Sequence, residues 1–267
     1  MIVQRNSTKS KRWREWSRLR EKTQHPHPNE VIFCSVLRRD TLSTIIMSNF
    51  GELVLLVGDH HIPMRAVSIP SQFLKMLIPG KMQHVLCTGN IGDLEEYERL
   101  KGLVVSGSSN MGIAGGGGAS GGNVHCVQGE YDFAYGNTNG IPISFPETKI
   151  VTLGKFTIGI IGGHQIVPWG DLTSVAMQRR KLNVDILVCG HRRKCGVEEY
   201  DGGYYIFPGS ITGAYSVDDP TSEGANPSFI LLAVQGDKIV CYVYELKNGE
   251  VDVSKIEISK KAEEIFN

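Results

Sequence analysis

Long apolar runs are missing from this 267-residue chain. The nearest candidate, residues 31–37, ends at Arg38-Arg39-Asp40, far short of the ~18 apolar residues that a membrane-crossing helix needs. The opening residues lack the order of basic, apolar and then small residues that marks a secretory leader. The six cysteines (34, 87, 126, 189, 195 and 241) form no C-x-x-C pair and no zinc-knuckle spacing. Most sit inside apolar, strand-like runs, where a free thiol behaves as a small core residue, so a reducing, cytosolic compartment is expected. Net charge is also lacking, but the zero hides an asymmetry. Residues 1–46 hold ten Lys/Arg against four Asp/Glu, so the remainder is acidic. This basic stretch, with Trp13 and Trp16, reads as a disordered extension. A basic helix for nucleic acid or a membrane surface is the other reading, and it rests on composition alone.

What is present is a series of short buried strands. Residues 53–57 are five apolar residues in a row, expected to be a strand buried on both faces. Gly58-Asp59-His60-His61 follows at once, placing ligand-type side chains on the loop at the carboxyl end of a central strand. Asp59 and His61 are two apart, so an extended segment would turn both to one side. The device repeats at Gly89-Asn90, Gly129-Glu130, Gly163-His164 and Gly190-His191, each after an apolar run. Helices are expected at 71–77, 94–103 and 172–182, and a hairpin at Gly154-Lys155. From residue 204 onward the pattern is strands alone. Mixed strand and helix followed by strands predicts an α/β fold with two sheets packed face to face and helices outside, in one domain. That domain is expected to cover 47–267, with a Gly/Ser-rich insertion at about 104–122 that cannot offset the cost of ordering its own backbone.

The order of these motifs resembles the calcineurin-like metallophosphoesterases. Gly58-Asp59-His60-His61-Ile62-Pro63, Cys87-Thr88-Gly89-Asn90, Gly163-His164-Gln165-Ile166-Val167-Pro168-Trp169-Gly170-Asp171 and Pro208-Gly209-Ser210-Ile211-Thr212-Gly213 are closest to the branch that forms the small subunit of retromer. The resemblance implies two stacked mixed β-sheets in a four-layer αββα sandwich. It also implies a metal rim at Asp59, His61, Asn90, Glu130 and His191. Against the family pattern, Asn90 replaces a bridging aspartate, Gly162 and Arg193 replace histidine ligands, and Tyr131 replaces the histidine that assists the leaving group. Arginine cannot ligate. The rim is therefore expected to bind Mn or Zn weakly or not at all, with Arg193 as a permanent substitute for the cation beside Asp59 and Glu130.

A scaffold role follows, with a metal-dependent phosphoesterase as the alternative. The resemblance implies that Ile166 and Val167 face the helical-repeat retromer subunit, vacuolar protein sorting-associated protein 35. It implies that Leu231, Tyr242 and Tyr244 form an apolar groove for regulators carrying Pro-Leu-type motifs. The run 239–246 is apolar on both faces, which fits either such a groove or burial between layers. No nucleic-acid partner is expected. The membrane would be reached only through the complex, on the cytosolic face of endosomes.

Overall fold

The computed structural model describes residues 51–105, 123–132, 144–192, 194–214 and 225–260. The expectations for residues 1–46, for 106–122 and for Arg193 lie outside these. Val104 and Val105, placed in the insertion by composition, belong to the fold: Val104 bridges Met82, and the Val105 amide donates to the Met82 carbonyl at 2.9 Å.

Eleven strands among the described residues form two sheets. In the six-stranded sheet, β1 (Glu52–Val57) lies between β2 (His84–Cys87) and β9 (Ser228–Gln235). Outside β2 runs β3 (Val124–Cys126), and outside β9 run β10 (Lys238–Lys247) and β11 (Glu250–Ser259). Strands β1 to β3 are parallel, and β9 to β11 join them antiparallel. The five-stranded sheet has the order β4 (Thr148–Leu153), β5 (Phe156–Ile161), β6 (Ile186–Cys189), β8 (Gly203–Phe207), β7 (Gly196–Tyr200). Here too the pairing is mixed, because β6 is parallel to both β5 and β8 while β4 and β7 join at the edges antiparallel.

Alternation along each strand sends one set of side chains between the sheets. Val54, Leu56, Ile230, Leu232, Ile239, Cys241 and Val243 meet Phe156, Ile158, Ile160, Ile186, Val188 and Ile206 there. Outside the five-stranded sheet, α3 (Leu172–Leu182) buries Val175 and Ala176 against Leu187, Cys189, Tyr205 and Phe207. Asp171 caps this helix by accepting from the Ser174 amide at 2.9 Å, and Asn183 ends it in a left-handed conformation. The short helix α1 (Ser71–Met76) buries Phe73, which meets Phe229 of β9 edge-on at 4.8 Å. Helix α2 (Leu94–Leu103) buries Leu100 and Leu103 and is capped by Asp93, which accepts from the Glu96 amide. Among the described residues no helix is long and apolar enough to cross a membrane.

Candidate functional site

The glycine-terminated strands of both sheets end at one rim. Glycine there lets the loops meet backbone to backbone: a Cβ on Gly190 would stand 2.6 Å from the Gly162 carbonyl oxygen. Asp59, His61, Asn90 and His191 all have positive φ, between 47° and 55°. Asp59 and His61 therefore come together through left-handed turns rather than the extended alternation expected from their spacing. His61 Nε2 lies 3.9 Å from Asp59 Oδ1.

Asn90 is the centre of the polar network. Its Nδ2 donates to Asp59 Oδ1 at 2.7 Å, and its Oδ1 accepts from the Tyr131 amide at 3.0 Å. Asp132 fastens the same loops, accepting from the backbone amides of Asn90 (2.8 Å), Ile91 (3.0 Å) and Gly129 (2.7 Å). From below, Ser210 donates to the Asp59 carbonyl at 2.7 Å and Thr212 to the His60 carbonyl at 2.8 Å. Across the rim, Glu130 Oε2 approaches His191 Nδ1 at 4.0 Å, and Trp169 stands edge-on to His191 at 5.0 Å. Sequence reasoning missed Asp132, Ser210 and Thr212 as site-builders. The signal for Asp132 was its place three residues after Gly129, where a carboxylate can take the orphan amides of a turn.

Burial governs the electrostatics. It pushes the Asp59 carboxyl above its usual range, against the Asn90 hydrogen bond and the His191 charge and backbone contact that oppose it. Burial, with Arg65 and His191 nearby, lowers His61 to about 4, so its imidazole is neutral at pH 7. His60 is fully buried and lowered to about 3, and neither ring nitrogen has a hydrogen-bond partner among the described residues.

The resemblance to calcineurin-like metallophosphoesterases implies two metal ions at such a rim, and the residues at positions 90 and 162 do not fit a pair of them. The Asn90 side chain is neutral and engaged by Asp59 and by the Tyr131 amide, so it lacks the anionic charge of a bridging carboxylate. At Gly162 a side chain has no room, because a Cβ would meet the Gln128 carbonyl oxygen at 2.5 Å and His164 Nδ1 at 3.0 Å. Among the described residues no three His, Cys, Asp or Glu side chains gather into a group that could hold a metal ion.

The partner residues separate into two places. Val167 projects from the rim, whereas Ile166 is buried against the five-stranded sheet beneath α3. Leu231 and Tyr242 are direct cross-strand partners, with Tyr244 two residues along on the same face, away from the inter-sheet core. All three are buried, and Tyr244 stacks on Phe229 at 4.6 Å. Of the two readings open for this run, a groove or burial between layers, the structure has these side chains buried, with Phe229 and Phe73 of α1 extending the packing outward.

Residues 53–237 match the calcineurin-like phosphoesterase superfamily domain. Vacuolar protein sorting-associated protein 29 of Schizosaccharomyces pombe is 34% identical over 209 residues, covering 78% of this chain and 98% of that protein. The chain belongs to the Vps29 family. Solved structures agree. Vps29 from Cryptosporidium parvum is 39% identical with a TM-score of 0.66, over 79% of this chain and all of the other. Vps29 from Entamoeba histolytica, crystallised with Zn²⁺, is 36% identical with a TM-score of 0.61, over 77% and 98% of the two chains. The Vps29 fold and the two stacked mixed sheets are thus common to this chain and those relatives.

Proposed function

We propose that this chain is a non-catalytic scaffold subunit of the retromer cargo-recognition complex, acting in endosome-to-Golgi and recycling transport. The observation that carries the reading is the Asn90 amide, engaged at one end by Asp59 and at the other by Tyr131. In a two-metal hydrolase the residue at this place must hold both ions. Here it ties two loops together and leaves a rigid rim. Val167 and Trp169 stand exposed on that rim and suit burial against a partner. The partner proposed is the helical-repeat subunit, vacuolar protein sorting-associated protein 35, as Vps29 family membership suggests. Regulators with Pro-Leu-type motifs would use the face around Leu231, Tyr242 and Tyr244, after side-chain movement opens it. Association with endosomal membranes would come through the complex.

The second reading, a metal-dependent phosphoesterase, is favoured by the Asp59–His61 and Glu130–His191 pairs and by the Zn²⁺-bound relative. Elemental analysis after dialysis, paired with turnover of an aryl phosphate, separates the two. The scaffold reading expects well under one Mn or Zn per chain and no turnover. Stoichiometric metal with turnover overturns it.

A further inference from the structure

Away from the rim, two histidines face each other across neighbouring strands. His84 opens β2, and His125 is the middle residue of β3. In register His125 lies beside Leu86, two residues after His84, and Leu86 points between the sheets. Alternation sends both half-buried rings to that same face, at the β3 edge of the sandwich. His84 Nδ1 stands 3.3 Å from His125 Nε2, with the ring planes 17° apart and the centroids at 5.6 Å. The rings therefore meet nitrogen first.

Glu52 of β1 acts on His84 and Lys149 of β4 on His125, two charges of opposite sign. Burial lowers the His84 ring against the pull of Glu52. Burial, with Lys149 and His84 nearby, lowers His125 to about 3. Both imidazoles are thus neutral at pH 7, and each keeps a lone pair. In the resting pair one ring N–H donates to the other ring, a bond worth about 1 kcal/mol. No protein group among the described residues fixes the tautomer of His125, because its Nδ1 is buried without a hydrogen-bond partner. The ring proton is free to sit on Nδ1 and leave Nε2 bare.

Two imidazole nitrogens on one tetrahedral zinc, each at ~2.0–2.1 Å, stand roughly 3.3–3.4 Å apart. The pair already has that spacing, held by the backbones of two paired strands. A tilt of the rings aims both lone pairs at one ion. Neutral imidazole suits zinc, nickel and copper, whereas magnesium and calcium take oxygen ligands.

We propose that His84 and His125 bind one zinc-class divalent ion, with water in the remaining positions, and that the ion clips edge strand β3 to β2. Two protein ligands make a weak, exchangeable site, which dialysis empties. The site stands apart from the rim and does not depend on how the rim is read.

The test titrates zinc into the full chain and follows the histidine ring nitrogens by NMR. Zinc should shift His84 Nδ1 and His125 Nε2 and slow hydrogen exchange at the β3 amides. Magnesium should do neither. His84→Gln and His125→Gln should each weaken this binding by at least the ~10–100-fold that loss of an outer-shell partner costs. If either variant unfolds, the ring shifts in the wild type decide the matter. Shifts confined to His61, His164 and His191 would put zinc at the rim and overturn the proposal. No ring shift at millimolar zinc, an equal response to magnesium, or unchanged affinity in both Gln variants would overturn it as well.

Discussion

At the rim, Val167, Trp169 and Met64 are 74, 51 and 59% exposed, whereas Leu231, Tyr242 and Tyr244 are 3, 8 and 2% exposed. The first group stands on loops beyond the strand ends; the second stands on strands with neighbours on both sides. A loop can hold an apolar side chain in water when its backbone is fixed by other means, and the loop carrying Val167 and Trp169 is fixed by the Ile166 amide on the Gly163 carbonyl, the Gly163 amide on Gln165 Oε1 and Trp169 Nε1 on the His164 carbonyl. Leu231, Tyr242 and Tyr244 instead lie on a packed face, where Tyr244 stacks on Phe229 and Phe229 meets Phe73 of α1. One surface is therefore ready to bind and the other must first rearrange. Substitutions should affect binding alone in the first case and folding in the second.

Leu231→Glu is expected to have the largest effect. It puts an unpaired carboxylate between Leu55 and Tyr242 on a closed face, costing about 4 kcal/mol or more. The thermal midpoint should fall by more than about 10 °C. A fall of only a degree or two would mean that this face opens readily, and would erase the contrast with the rim. Gly162→Ala comes next, at about 2–4 kcal/mol, since the added carbon meets the Gln128 backbone. Gly162→His should be no better tolerated, and should not raise Zn²⁺ affinity in a calorimetric titration.

Acid should act on the histidines before it reaches the strand face. His60 and His125 are lowered to about 3 and His61 to about 4, chiefly by burial. The unfolded chain takes up protons near pH 6.5 and the folded chain does not, so stability falls as pH drops from 6.5 toward 4. Asp59, shifted upward, works in the opposite direction. A net loss of about 2 kcal/mol between pH 6.5 and 5.5 is expected in urea melts. A flat profile would mean that these rings are solvated. The smallest effect on folding is Val167→Asp, within about 0.5 kcal/mol of wild type, although pull-down of the helical-repeat subunit should be lost. If it lowers the melting temperature as Leu231→Glu does, the two surfaces are not different in kind.

Strands ending in glycine were legible because an apolar run and a turn residue are both local signals. Strand β7 was not, since Gly-Val-Glu-Glu-Tyr has the charge of an exposed edge strand and no apolar alternation. The membership of the rim could be read from the repeated glycine followed by a polar residue. Its internal wiring could not, because Asp132 acts through amides of two loops that only the fold brings together. Tyr242 and Tyr244 could be placed on one face by alternation, but Leu231 joined them only through the family resemblance, and the packing of Phe229 against Phe73 comes from a helix far away in sequence.

The place of β9 bears on how the protein is made. Strand β1, emerging early from the ribosome, has one permanent neighbour in β2 and must wait for β9 to supply the other. Until then Leu53, Leu55 and their companions present an unpaired edge. Contacts of such long sequence separation fold slowly and leave nascent chains open to aggregation. A ribosome stalled before Ser228 would hold a five-stranded sheet whose counterpart lacks three of its six strands. Chaperone dependence should therefore concentrate in the last stage of synthesis.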